Sequence, residues 1–462
     1  MSTTTEERTA LFTIGEVGEI LGSRMEGGLG FHRASIYGIS TDSRTVKPSE
    51  LFVAIKGDTF NGHDFLEAAF ANGAVAAIVN RLEISKRKLN DSRYIGVDDT
   101  IFAFGELALN YRKRMPAKVV AVTGSNGKTT VKNLTYEILC LKGSALKSPG
   151  NFNNLVGLPT SIFKLRKEHK TAVFELGMSA KGEIARLGEI SSPEIAVITN
   201  VGPVHLEFLK NVEEVAAAKL EILEHIKPGG ILIINGDDVT LNSKIGNITH
   251  KMIRFGLDNK NDISPAELRF DEQQMAHFKL TGQNFDLSLP GVHNVYNALA
   301  AFAVSKAMGI NASSAAETIN SFKASGLRSE IFRKGDVSLI IDCYNANPVS
   351  TRMALDTLSK MECKGSRVAV LADMLELGEK GPAYHEEIGD YARKTGIDNI
   401  FAMGPLSRYI VDRFGDGGFH YETKQDLIES LTDFISANDI VLFKGSRGMA
   451  LEEVVNAIKK IL

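Results

Sequence analysis

The chain has 462 residues, 44% apolar and 24% charged, with a net charge of −3. This is ordinary globular composition too long for one core, so three domains are expected, while disorder and nucleic-acid binding through a basic face are excluded. Three widely separated cysteines (Cys140, Cys343, Cys363), a polar, acidic start from Met1 to Arg8 and no apolar run near the roughly 20 residues of a membrane span point to a cytoplasmic protein without disulfides, structural zinc or membrane anchor.

From Leu11 to about Pro116, short β-like runs (Leu51 to Ile55, Val75 to Val79) alternate with polar turns and a helix-like stretch from Asp64 to Ala71. This predicts a small α/β domain over residues 1–115. A basic segment, Tyr111 to Pro116, reads as a hinge. The β-branched run Lys118 to Val122 then enters Thr123-Gly-Ser-Asn-Gly-Lys-Thr-Thr130. Apolar strands follow at Ala172 to Glu175, Ile195 to Asn200 and Ile231 to Asn235, with helical segments between them. Continuous apolar runs alternating with helices predict a central parallel-sheet domain of P-loop ATPase type over residues 116–321. A second alternation, with strands at Ser338 to Asp342, Arg367 to Ala372, Asn399 to Met403 and Asp439 to Lys444, predicts a Rossmann-like domain over residues 322–462.

A strand that runs into Gly-x-x-Gly-Lys-Thr and then a helix is a device for holding phosphates, because loop N–H groups and the helix N-terminus face the anion. The candidate cradle is Gly124, Ser125, Asn126, Gly127, Lys128, Thr129 and Thr130. Lys128 supplies positive charge and the Thr129 hydroxyl a magnesium ligand. The longer standard form has glycine where this chain has Val122, so the loop is a shortened variant. Open α/β sheets place ligands at strand C-terminal ends, and there lie Glu175 and, after the next strand, His205. A carboxylate and an imidazole beside a triphosphate suit a divalent cation, although a lone histidine in a loop is more often a packing residue. Lys219, among Val215, Ala216, Ala217, Ala218 and Leu220, reads from its neighbours alone as a surface lysine with a buried stem.

Polar clusters remain at Gly291 to Asn297, Arg328 to Glu330, Asp342 to Pro348 and Lys444 to Gly448. Each reads singly as turn chemistry, and together as base, phosphate and ribose recognition.

With these segments assembled, the chain resembles the Mur ligase family over nearly its whole length. The resemblance is carried by Thr41-Asp-Ser-Arg44, Gly62-His-Asp-Phe65, Gly150-Asn-Phe-Asn-Asn154, Asp342-Cys-Tyr-Asn-Ala-Asn-Pro348, Ala372-Asp-Met-Leu-Glu-Leu-Gly378 and Lys444-Gly-Ser-Arg-Gly448. Within the family it points to the type that joins D-alanyl-D-alanine to UDP-N-acetylmuramoyl-tripeptide. The resemblance implies an N-terminal UDP-sugar domain, ATP and two Mg2+ ions, an acyl-phosphate intermediate, no protein nucleophile, and a role in peptidoglycan precursor synthesis.

Residue by residue it implies Lys128 and Thr129 at ATP and the first Mg2+, and Glu175 and His205 at the second. Lys219 matches a position carbamylated in related ligases, where it becomes a further metal ligand. Asn294 and Asn297 would face adenine, Arg328 the phosphates, and Asp342 the ribose, with Asn345 beside the nucleotide. Ser43, Arg44, Asn151, Asn153, Asn154, Lys444 and Arg447 would meet the substrates. The stretch Gly326 to Glu330 departs from the commoner Gly-Arg-x-Glu spacing, which bears on Arg328. A monomer is expected. The rival readings are a ligase adding a diamino acid, a folylpolyglutamate-synthase-like ligase and, from another class, a P-loop nucleotide switch. The tripeptide's third residue, meso-diaminopimelate or lysine, is not legible.

Overall fold

The computed structural model describes residues 9–23, 28–57, 59–246, 248–323 and 326–462. The polar segment Met1 to Arg8 lies outside them.

The N-terminal sheet is fully parallel, its neighbours being Gly38–Ser40, Glu50–Val53, Ala74–Asn80 and Tyr94–Val97. The expected helix near Asp64 begins as a 3-10 turn, Gly62–Phe65, and continues as Leu66–Ala71. A two-stranded antiparallel pair, Phe12–Thr13 with Ser35–Ile36, stands apart from this sheet.

The first half of the expected hinge is helical, and residues 114–117 link that helix to strand Lys118–Thr123. Tyr111 and Arg112 belong to the helix Thr100–Lys113 and are buried. The Tyr111 hydroxyl donates to the Leu165 carbonyl at 2.8 Å, and Arg112 Nε donates to the Ser191 carbonyl at 3.1 Å. The helix packs on Ile14–Leu21 on one side and on Gly157–Ile162 and Glu183–Ser191 on the other. One apolar core therefore runs from the N-terminal domain into the central one. The Arg112 charge is met by the Ser191 and Met115 carbonyls and by Glu194, and Arg114 pairs with Glu16.

The central sheet has six parallel strands in the order Lys251–Phe255, Ile231–Asn235, Ile195–Ile198, Lys118–Thr123, Thr171–Glu175 and Ala145–Lys147. Strand Ile195–Ile198 is buried at every position, as a strand covered on both faces must be. One face carries Lys128–Cys140 and Val292–Ala307, whose apolar residues share a core with a three-stranded antiparallel sheet, Ala266–Phe270, Met275–Leu280 and Gln283–Pro290. That appended sheet has no counterpart among the sequence expectations. Its strands alternate buried and exposed residues, a weaker signal than a continuous apolar run.

The C-terminal sheet orders Glu330–Lys334, Val337–Ile341, Ile440–Lys444, Arg367–Ala372, Asn399–Met403 and Gly418–Tyr421, with only the first pair antiparallel. Helices cover both its faces, giving two cores. The fold is α/β throughout, and the C-terminal ends of the central and C-terminal sheets face a common cleft. No helix among the described residues is long and apolar enough to cross a membrane.

Candidate active site

The cleft encloses about 800 Å³ and is walled by loops of both larger domains. Its floor is the loop after strand Lys118–Thr123. Gly124 and Gly127 hold φ of 147° and 80°, which a side chain adopts only under strain. A Cβ at Gly124 would overlap the Thr199 hydroxyl, and one at Gly127 the Asn297 side-chain oxygen. Ser125 N donates to the Asn200 carbonyl and Asn126 N to Asn200 Oδ1, both at 2.9 Å. The loop is thus moulded by the neighbouring strand end and leads into the N-terminus of helix Lys128–Cys140.

Lys128 Nζ donates to the carbonyls of Gly124 and Ser125 at 2.8 and 3.2 Å. Burial lowers its affinity for a proton, Glu175 restores part of it, and Arg328 opposes it. Glu175 is 2% exposed at the end of its strand. Thr129 donates its hydroxyl to Glu175 Oε2 at 2.8 Å, and Asn153 Nδ2 donates to Oε1 at 2.8 Å. Burial alone would raise the Glu175 carboxyl, but Lys128, Lys132, Arg328 and the Asn153 amide together bring it below the usual carboxylate value.

Lys219 overturns the surface reading, being 2% exposed within helix Val212–Leu220. It lines the cleft, and no hydrogen bond or ion pair engages its amine among the described residues. Burial, helped by the nearby Lys128, pushes its pKa well below that of an ordinary lysine. Burial thus favours the uncharged, nucleophilic form of this amine. His205 has a left-handed backbone, φ 56°, and its Nδ1 lies 2.6 Å from Glu376 Oε2 of the C-terminal domain.

The helix Val292–Ala307 supplies Asn294 and Asn297, both buried. Asn297 Nδ2 donates to Asn294 Oδ1 at 3.0 Å, and Asn294 Nδ2 donates to the Pro290 carbonyl at 2.8 Å. This amide chain ends beneath Gly127, so the pair also props the phosphate loop. Arg328 lies with its guanidinium 4.0 Å from the centre of the Tyr344 ring. Asp342 Oδ2 accepts from Lys444 Nζ at 2.7 Å and Oδ1 from Ser329 N at 3.1 Å. Lys444 Nζ also donates to the carbonyls of Asp342 and Asn345. An ammonium has three protons, so Lys444, which lines the cleft as expected of a substrate-facing residue, also fixes the loop bearing Asp342 and Asn345. Arg447 lines the cleft and is paired with Glu452 at 2.6 Å.

Asn151, Asn153 and Asn154 also line the cleft, with Asn154 Oδ1 accepting from Gly157 N to start the next helix. Ser43 and Arg44 do not reach it. Ser43 is buried, and the exposed Arg44 binds Asp42 at 2.7 Å, which holds that carboxyl at about 2. Lys132 and Asp237 are absent from the sequence expectations, while His293, Tyr296 and Glu376 lie in segments singled out there without a role of their own. Lys132 stands four residues after Lys128, hence on the same helical face, and Asp237 follows strand Ile231–Asn235 at its C-terminal end. Those two signals were available. Tyr296 donates its hydroxyl to Asp237 Oδ2 at 2.8 Å on the cleft wall, and His293 Nδ1 is buried without a partner among the described residues.

The arrangement joins a phosphate cradle, a hard-oxygen pair, a buried lysine amine and a cationic wall. Among the described residues no three His, Cys, Asp or Glu side chains converge as a ready-made metal cage. The Thr129 hydroxyl and Glu175 carboxylate nonetheless fit Mg2+, which takes few protein oxygens and completes its shell with water and phosphate.

Three family models match the chain: "Mur ligase family, catalytic domain" at residues 35–112, "Mur ligase middle domain" at 122–305 and "Mur ligase, glutamate ligase domain" at 327–447. The chain is 37% identical over 459 residues to the UDP-N-acetylmuramoyl-tripeptide--D-alanyl-D-alanine ligase of Escherichia coli, covering 97% of this chain and 98% of the relative. The structure of MurF from Acinetobacter baumannii superposes with a TM-score of 0.86 at 29% identity, covering 97% of this chain and 99% of that one. The MurF ligase of Thermotoga maritima, solved in complex with ADP, gives 0.82 at 30% identity, with 92% and 97% covered.

Proposed function

The chain belongs to the Mur ligase family, and we propose from the site it carries that it joins D-alanyl-D-alanine to UDP-N-acetylmuramoyl-tripeptide with consumption of ATP. The observation that carries this reading is the meeting of the phosphate loop with the Asp342–Asn347 and Lys444–Gly448 segments in one cleft, where a switch protein would need only the loop.

A carboxylate is a poor acyl electrophile. Its oxygen attacks the γ-phosphorus of ATP, the bond to ADP breaks, and an acyl phosphate forms. The neutral amine of the dipeptide then attacks the acyl carbon, loses a proton, and expels inorganic phosphate. The residues contribute position and field rather than covalent chemistry. The loop N–H groups and Lys128 hold the phosphates, and Arg328, over the Tyr344 ring, adds charge from the third domain. Asn294 and Asn297 serve the adenine, and Asp342, fixed by Lys444, serves the ribose beside Asn345.

Thr129 and Glu175 would hold one Mg2+, and Glu175, His205 and Lys219 a second. When bound, these ions neutralise charge on the transferring phosphoryl group. Lys219 suits carbamylation because burial favours its uncharged amine, the form that attacks carbon dioxide. Asn151, Asn153, Asn154 and Arg447 meet the acceptor and donor substrates. Ser43 and Arg44, outside the cleft, are assigned to the UDP end of the long substrate. The protein acts in the cytoplasm as a monomer.

The acyl-phosphate step is tested by labelling the tripeptide's reacting carboxylate with 18O. The inorganic phosphate released should carry one labelled oxygen. Unlabelled phosphate from labelled tripeptide would rule the step out.

A further inference from the structure

Glu376 lies on the C-terminal domain, in the loop after strand Arg367–Ala372, whereas His205 follows strand Ile195–Ile198 of the central domain. Their side chains meet across the cleft at 2.6 Å between Glu376 Oε2 and His205 Nδ1. An ionised carboxylate only accepts hydrogen bonds, so this contact places the neutral ring's proton on Nδ1 and leaves Nε2 with its lone pair. Both residues hold left-handed backbones, with φ of 62° at Glu376 and 56° at His205, a conformation uncommon outside glycine.

The loop is pinned so that it stays there. Met374 N donates to His385 Nε2 at 3.0 Å, and Leu375 N donates to Ser446 Oγ at 2.9 Å. Where the domains touch, a Cβ at Gly378 would come within 3.4 Å of Glu207 Cα. Carboxylates behind metal-bound histidines fix ring orientation and tautomer in this manner.

We infer that Glu376 is a positioning residue for the second cation site: it sets the tautomer and orientation of His205 from the opposite domain, so the site is complete only when the C-terminal domain is docked. This rests on the assignment of His205 as a metal-holding residue. The coupling gives a physical reason for cation binding near the phosphates to follow domain closure. A nucleotide bound to the central domain alone would lack one correctly presented imidazole.

The test uses Glu376→Asn, which tolerates the left-handed backbone but is too short to reach His205, with Glu376→Ala beside it. Mn2+ affinity is measured by electron paramagnetic resonance with a non-hydrolysable ATP analogue on the full chain, together with His205→Ala and the double variant. Selective 15N-histidine spectra report the tautomer, with the His205 signal assigned by its loss in His205→Ala.

The inference predicts Mn2+ binding weaker by about 10–100-fold in Glu376→Asn, with an unchanged melting temperature and unchanged affinity for metal-free ADP. The double variant should be no weaker than His205→Ala alone. The His205 signal should shift from the Nδ1–H towards the Nε2–H form. An unaltered tautomer with Mn2+ affinity within about twofold of wild type overturns the inference, as does additive loss in the double variant. If instead His205→Ala itself binds Mn2+ normally, the metal assignment of His205 falls, while the tautomer spectra still report whether Glu376 acts on that ring.

Discussion

The Lys132 ammonium lies 3.6 Å from Glu175 Oε2, with side chains only 1% and 2% exposed. Lys132 Nζ also donates to the Gly150 carbonyl at 2.7 Å, tying the helix that follows the phosphate loop to the Asn151–Asn154 segment. A buried ion pair is costly to halve, because removing one partner strands the other charge. Lys132→Met is therefore expected to destabilise the protein by about 3 kcal/mol, and adding Glu175→Gln to recover part of that loss. Denaturant unfolding of the two single variants and the double variant measures the coupling. Additive losses would show that the two charges do not interact.

Gly127 cannot carry a side chain without pushing on Asn297. Gly127→Ala should weaken ADP binding about 5- to 150-fold, since backbone strain of about 1–3 kcal/mol falls on the phosphate loop itself. Gly229, with φ 76° but open space around it, is the control. Gly229→Ala should cost about 1 kcal/mol of stability and leave ADP affinity unchanged. Calorimetric titration of both variants separates loop geometry from general destabilisation.

Lys219 makes a pH-dependent prediction. Burial lowers the folded-state pKa of its amine, so above the ordinary lysine value, about 10.4, folded and unfolded amines are both neutral. As pH falls below that value the unfolded chain takes up the proton first, and folding loses stability until the buried amine also protonates. In carbonate-free buffer near neutral pH, Lys219→Met should therefore be more stable than wild type by about 1–3 kcal/mol, with the advantage shrinking as pH rises towards 10. Its ligase activity should be lost. Short carboxylic acids should rescue Lys219→Ala if a carbamate acts there. Full activity of Lys219→Ala without rescue would remove the residue from the site.

The buried framework was legible because its signal is local. Runs such as Ile231 to Asn235, Arg367 to Ala372 and Asn399 to Met403 coincide with observed strands, since a strand covered on both faces needs no partner to declare itself. The antiparallel sheet from Ala266 to Pro290 alternates instead and passed unseen. The burial of Lys219 and Arg112 was missed by their neighbours' pattern for one reason: a cation's burial depends on what lies across from it, and no local pattern reports that. Glu376 stood in a quoted segment, but its relation to His205 spans 171 residues and two domains. The three hydrogen bonds by which Lys444 holds Asp342 and Asn345 were equally out of reach of a local pattern, since they span about a hundred residues.

ADP formation measured with the UDP-tripeptide alone, with D-alanyl-D-alanine alone and with both tests the central reading most directly. The account predicts sustained ADP release only with both, matched one to one by UDP-MurNAc-pentapeptide. ADP release at the same rate whether or not either substrate is present, without pentapeptide, would contradict it.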